Sequence, residues 1–251
     1  MKGIILAAGQ GYRMGSKTDD KPKCMITYKS KPLINYTIDA MRACGIEDII
    51  IINGYKKEVL ESHLYNESIR FITNKEYYKT NMVYTLFCAE SEMNDDIIIS
   101  YSDIIYNKDV LEQLIKNHHD LAVTIDKNWL ELWKLRMDDP LKDAETMKID
   151  DSDNILELGK KSKSYKEING QYIGLFKISN SIVGRIRKFY HELDKSKYYD
   201  GKDFNNMYMT SFIQLLINSG YPVKADIIRN GWLEFDSQND LTVYKKQKDL
   251  F

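Results

Sequence analysis

Short aliphatic, largely β-branched runs recur through the first half of the chain with stretches of helical period between them. That alternation is the pattern of βαβ units around a mostly parallel sheet. The run at 48–53, with Ile49, Ile50, Ile51 and Ile52 in succession, reads as a strand buried on both faces. Further strands fit 2–7, 69–73, 96–102 and 121–125, giving a sheet of at least five strands. Helices fit 32–44, with Pro32 in the first turn, Leu33, Ile34, Ile38 and Met41 on one face and Gly45 as the stop. Others fit 56–65, 81–93 and 109–118, and the stripe Met82, Leu86, Ala89 and Met93 reads as core. From Asp126 to about Ser179 the texture changes to charged, aromatic-studded short runs, read as a small antiparallel appendage inserted at 126–179 within one domain spanning 1–251. Helices at 181–193 and 205–218, a strand near 223–228 and a last helix complete the order.

A chain of 251 residues, 43% of them hydrophobic, can bury a sizeable core without a disulfide or metal staple. Its 36 Lys and Arg nearly balance 37 Asp and Glu, which excludes a protein devoted to coating nucleic acid or an anionic membrane. Any phosphate binding must therefore be local. Cys24, Cys44 and Cys88 are odd in number, widely spaced and without zinc or disulfide patterning, so a reducing cytoplasm is the expected compartment. The apolar stretch before Gly9 is too short for a signal peptide, and no run approaches the roughly 20 residues that cross a bilayer.

The first strand leads straight into Leu6-Ala7-Ala8-Gly9-Gln10-Gly11-Tyr12-Arg13-Met14-Gly15, followed by Lys21-Pro22-Lys23. Glycines there permit positive φ and let backbone N–H groups converge on an anion, and nearby cations complete the neutralisation. Pro22 fixes φ between two lysines, holding a cation at the edge of the loop. Spacing excludes two better-known cradles. The third glycine is one position late for a dinucleotide fingerprint, and Gly15-Ser16-Lys17-Thr18 does not close a Walker A loop, which needs four residues between its glycines, whereas Gly11 to Gly15 encloses three and Gly9 to Gly15 five. A simple turn is the alternative reading of the glycines; Arg13 and Lys23 weigh against it.

The run from Leu6 to Met14 with Lys21-Pro22-Lys23 resembles the signature LAAGxGxRM…PK of the nucleotidyltransferases, or pyrophosphorylases, which join a nucleoside triphosphate to a phosphorylated small molecule. The resemblance extends through Tyr101-Ser102-Asp103-Ile104, Gly170-Gln171-Tyr172-Ile173-Gly174 and Trp232-Leu233-Glu234-Phe235-Asp236-Ser237. These three segments are most similar to the small cytidylyltransferases acting on phosphocholine and 2-aminoethylphosphonate. The resemblance implies an α/β nucleotidyltransferase fold, a Rossmann-like, mostly parallel central sheet flanked by helices with a small antiparallel acceptor-side subdomain. It also implies CMP transfer from CTP to a small phosphorylated acceptor with release of pyrophosphate.

Asp103 follows the strand at 96–102, at the edge where ligands of open α/β sheets gather, and Asp236 lies in an apolar setting near the chain's end. Taken singly, each reads as a cap or turn residue before it reads as a ligand. The resemblance assigns both to a metal, and hard carboxylates suit Mg²⁺. It places Leu6, Ala7, Ala8, Gly9, Gly11, Tyr12, Arg13 and Lys23 on the nucleotide, with Arg13 and Lys23 drawing charge toward the leaving pyrophosphate. Asn81 reads either as an amide for the cytosine edge or as the N-cap of the next helix. Trp129, Trp133 and Tyr172 could face a quaternary ammonium or simply pack. Arg136, Glu145, Lys160 and Glu167 form a mixed set suited to an amino acid's ammonium and carboxylate, or to surface pairing. The mixture favours glutamine phosphate as acceptor over phosphocholine, and the resemblance implies modification of a capsule or other surface polysaccharide. Competing readings are a sugar-1-phosphate nucleotidyltransferase using UTP or dTTP and a CTP-sensing module without catalysis. The four histidines show no metal spacing and receive no role.

Overall fold

The structure, a computed structural model, describes residues 1–247 and Phe251. Its centre is a seven-stranded sheet. In chain order the strands are β1 (Lys2–Ala7), β2 (Asp48–Asn53), β3 (Ile69–Thr73), β4 (Ile97–Tyr101), β5 (Ile104–Tyr106), β6 (Leu121–Asp126), β7 (Glu145–Ile149), β8 (Ile155–Lys161), β9 (Gln171–Ile178), β10 (Lys224–Ile228) and β11 (Trp232–Glu234). The sheet order is β10-β6-β9-β4-β1-β2-β3, with β9 antiparallel to both its neighbours and every other pair parallel. Alternation splits the aliphatic runs between two cores. Ile5, Ile49, Ile51 and Ile98 face one side, with the helices Leu33–Ala43 (α1) and Lys108–Lys116 (α2). Ile4, Ile50, Ile52, Ile97 and Ile99 face the other, with Met82–Phe87 (α3), Asn180–Glu192 (α4) and Met209–Asn218 (α5). Both faces are apolar because both are covered.

The βαβ reading of the first half holds, with differences at element ends. Pro32 is the N-cap of α1 and not part of its first turn. The helix expected over 81–93 stops at Phe87 and resumes as a 3₁₀ turn at Glu90–Glu92. The larger difference lies in the stretch 126–179. Only β7 and β8 form a separate antiparallel hairpin, joined there by the helix Trp129–Arg136. The final strand of that stretch, β9, is a full member of the central sheet, because nearly every residue in it is apolar and buried between β4 and β6.

Register aligns the carboxyl ends of β1, β2 and β4, with Leu6 opposite both Ile52 and Tyr101. The glycine loop and Asp103 therefore leave the sheet at one edge. A second, two-stranded ladder pairs β5 with β11, placing Glu234 opposite Ile104 and giving a bond from Phe235 N–H to the Asp103 carbonyl at 2.9 Å. That ladder is what sets Asp236 beside Asp103.

The turn of β9 around the cleft depends on Gly174. Its φ is +86°, and a Cβ there would lie 2.6 Å from the Tyr101 ring, at the point where β9 shifts register against β6. Left-handed backbone costs a non-glycine residue about 1–2 kcal/mol and overpacking about 1–3 more. Gly174→Ala is therefore expected to destabilise the fold by about 2–5 kcal/mol, measured by urea denaturation; a midpoint equal to that of the unaltered protein would contradict this.

Candidate active site

Lys23 begins a 3₁₀ turn directly after Pro22, whose φ of −69° and ψ of 156° set its direction. The Lys23 ammonium lies 2.7 Å from Asp103 Oδ2 and 3.0 Å from Asp236 Oδ1. Burial opposes its charge, but the Asp103 and Asp236 carboxylates more than offset this and hold its pKa above that of an ordinary lysine. Gly11 permits the arrangement: its φ is +72°, and a Cβ there would meet the Lys23 side chain at 2.8 Å. The Arg13 guanidinium, 72% exposed, pairs with Asp236 Oδ2. Four residues from three distant parts of the sequence thus converge at the sheet's edge.

The glycine loop is fixed from several sides. Thr18 Oγ1 donates to the Gly15 carbonyl at 3.1 Å, Gln238 Nε2 to the Met14 carbonyl at 2.8 Å and the Tyr55 hydroxyl to the Thr18 carbonyl at 2.9 Å. Among the described residues, the N–H groups of Gly9, Gln10 and Gly11 meet no protein acceptor. Space beside Gly9 is open. Leu6, Ala8, Gly9, Thr80 and Asn81 line a recess of about 110 Å³, alongside Thr85. Ala7 points into the core and shapes the loop only through its backbone, while the Tyr12 ring is exposed. Asn81 is the helix cap, its Oδ1 accepting from Met82 N–H at 2.8 Å, and it also lines the recess; its Nδ2 has no protein acceptor among the described residues.

A larger cleft of about 370 Å³ adjoins this recess, sharing Asn81 and Met82 with it. Arg13, Asp103 and Asp236 form one wall, and Trp133, Tyr172, Tyr101 and Tyr208 supply aromatic surface. Asp143, Glu145 and Glu234 add three further carboxylates. Each is positioned: Trp133 Nε1 donates to Asp143 at 2.8 Å, the Gln171 side chain bonds the Glu145 backbone at 3.1 and 2.6 Å, and Arg136 Nη1 pairs with Glu234 at 2.6 Å. Burial, then the neighbouring Asp143, Asp200 and Glu234 charges, push Glu145 up to about 7. Burial likewise raises Glu234 to about 7, against the pull of Arg136 and with the push of Asp103 and Asp236.

The structure separates the acceptor-side residues named from the sequence. Glu145 and Tyr172 line the cleft, and Lys160 faces an adjoining recess of about 390 Å³ that also contains Glu145, while pairing with Glu157 at 2.7 Å. Trp129 does not reach the cleft; it is buried against Trp133 and Tyr165, because its helix turns that face inward. Arg136 is also withheld from substrate, 2% exposed and paired with Glu234 and Asp240. Glu167 closes its own turn, accepting from Ser162 Oγ at 3.0 Å and Lys163 N–H at 3.1 Å. Asp143, Tyr208, Thr210 and Glu234 are cleft residues that the sequence reading missed. Glu234 alone carried a signal, standing two residues before Asp236 in the quoted motif.

The donor set fits magnesium. Asp103 Oδ1 is buried and meets no protein donor, although its partner oxygen is held by Lys23. Among the described residues no cluster of three His, Cys, Asp or Glu could hold a metal by itself, so phosphate oxygens and water would complete a shell begun by two carboxylates.

Free loop amides, two cations and two carboxylates meet at the carboxyl edge of this sheet, and the chain is a nucleotidyltransferase. The chain belongs to the family of the MobA-like NTP transferase domain, whose model matches residues 3–152. It is 46% identical over 250 residues to the CTP:phosphoglutamine cytidylyltransferase of Campylobacter jejuni subsp. jejuni serotype O:2, covering 97% of this chain and 98% of that one. In fold it is similar to a CTP:phosphocholine cytidylyltransferase from Streptococcus pneumoniae, with TM-score 0.72 and 23% identity over 99% and 97% of the two chains. A glucose-1-phosphate thymidylyltransferase structure from Bacillus anthracis, itself titled putative, gives TM-score 0.76 and 20% identity over 100% and 96%.

A carboxyl group whose folded pKa is raised stabilises the protein only while protonated. Its contribution is full below the unfolded value near 4.5 and is lost as pH rises through about 7. The free protein should therefore lose stability between about pH 4.5 and 7. Glu145→Gln should flatten that slope in melting temperature against pH, and an unchanged slope would contradict the raised value.

Proposed function

We propose that the chain transfers CMP from CTP to L-glutamine phosphate, forming CDP-L-glutamine and pyrophosphate. The 46% identity to a CTP:phosphoglutamine cytidylyltransferase over nearly the whole of both chains carries this reading. The site supports it. Asp143, Glu145 and Glu234 make the cleft acid-rich, which suits an acceptor bearing an ammonium group and disfavours a neutral sugar phosphate. Trp133, Tyr172 and Tyr208 would also accommodate the quaternary ammonium of phosphocholine, the competing acceptor.

An acceptor phosphoryl oxygen attacks the α-phosphorus of CTP; a new P–O bond forms as the bond from Pα to the bridging oxygen of pyrophosphate breaks. A phosphate with its second pKa near about 6 is already a dianion at neutral pH, so no side-chain base is required. The difficulty is the alignment of two anions. The unpaired amides of Gly9, Gln10 and Gly11 would cradle the triphosphate, and Arg13 and Lys23 would draw charge toward the leaving group. Asn81 Nδ2 would meet the base from the smaller recess. Asp103 and Asp236 would hold Mg²⁺, which supplies Lewis-acid charge neutralisation. The product would serve capsule or other surface-polysaccharide modification, made in the cytoplasm; no described helix is long and apolar enough to cross a membrane.

Pyrophosphate release should be fastest with CTP and glutamine phosphate in a panel that includes phosphocholine, 2-aminoethylphosphonate and sugar 1-phosphates with each nucleotide. Preference for phosphocholine would displace the acceptor, and CTP binding without any release would favour a sensor. Asp103→Ala should lower kcat by at least about 100-fold while leaving the melting temperature within a few degrees. Full activity in that variant would remove its metal role.

A further inference from the structure

Arg136 is a buried cation between two acids, and its partners lie on the segment that carries Asp236. Its Nη1 is 2.6 Å from Glu234 Oε2, and its Nε is 3.1 Å from Asp240 Oδ1. Asp240, also 2% exposed, turns its other oxygen to the N–H groups of Asp236 and Ser237 at 2.7 and 2.8 Å. Asn239 Nδ2 closes the circuit on the Arg136 carbonyl at 2.7 Å. On its other side the guanidinium lies 4.9 Å from the centre of the Trp133 ring, which lines the cleft. A buried ion network of this kind contributes little net stability compared with apolar packing; where it is retained, fixing one geometry is its best-attested use. What this network fixes is the backbone of Asp236.

We propose that Arg136 is a positioning residue that couples the acceptor wall, through Trp133 and Glu234, to the carboxylate of Asp236, so that filling the cleft and presenting the metal ligand are one event. The inference rests on the proposed metal role of Asp236. Lysine at 136 keeps the charge but cannot fork to Glu234 and Asp240 together. Asparagine at 240 keeps the shape of the cap but removes the charge that orients both the guanidinium and the two amides.

The test uses the full chain with Mn²⁺ as the metal probe, read by electron paramagnetic resonance with CTP present, alongside steady-state kinetics and thermal melting. Arg136→Lys and Asp240→Asn are each expected to weaken Mn²⁺ binding by about 5–10-fold and to lower kcat by at least about 10-fold. KM for CTP should stay within about twofold, and the double variant should be little worse than either single one. Folded variants with unaltered Mn²⁺ affinity and kcat would overturn the coupling. A rise in acceptor KM alone would do so too, making Arg136 a substrate contact. Should Arg136→Lys fail to fold, Asp240→Asn carries the same comparison. Failure of the unsubstituted chain to bind Mn²⁺ with CTP, by contrast, would remove the metal assignment of Asp236 and the coupling with it.

Discussion

Two carboxylates held against one ammonium organise this molecule's functional edge. Asp103 and Asp236 are brought together by the short β5–β11 ladder, and their mutual repulsion is contained by Lys23, which lies within hydrogen-bond distance of both. Lys23 in turn stands where it does because Gly11 has no side chain and Pro22 sets its approach. Without the ladder there is no acid pair, and without the glycine there is no room for the cation. The sheet supplies a rigid rim on which these separate pieces meet.

Charge is distributed across the cleft in a way that follows from the proposed substrates. Near the glycine loop, cations and free amides face the place where a triphosphate would lie. Along the larger cleft as a whole acids outnumber cations, and burial raises two of them to about 7, a cost that an incoming ammonium would relieve. An anion at one end and a cation at the other would thus be oriented before any chemistry begins. This division is harder to reconcile with a neutral sugar as acceptor.

Much of the sheet was legible in the sequence because its strands are unbroken aliphatic runs, of which 49–52 is the plainest. The glycine loop was legible because its motif spacing is local and chemically specific, whereas Asp103 and Asp236 stood out from other acids only through the family resemblance. The membership of β9 in the main sheet was not, since polar Gln171 and Lys177 frame its apolar centre and tertiary pairing alone decides which sheet receives it. For Arg136 and Trp129 the sequence left substrate contact open beside pairing and packing for a related reason: a mixed-charge helix gives no period that separates a cleft-facing residue from a buried one. Arg136 is buried because two acids from another segment, Glu234 and Asp240, enclose it.

Diffraction can show directly where a divalent ion sits at this edge. Crystals soaked with CTP and Mn²⁺ should show an anomalous peak within about 2.2 Å of oxygens from both Asp103 and Asp236, and in contact with the triphosphate. A peak bound by neither carboxylate, with the nucleotide in place, would contradict the account.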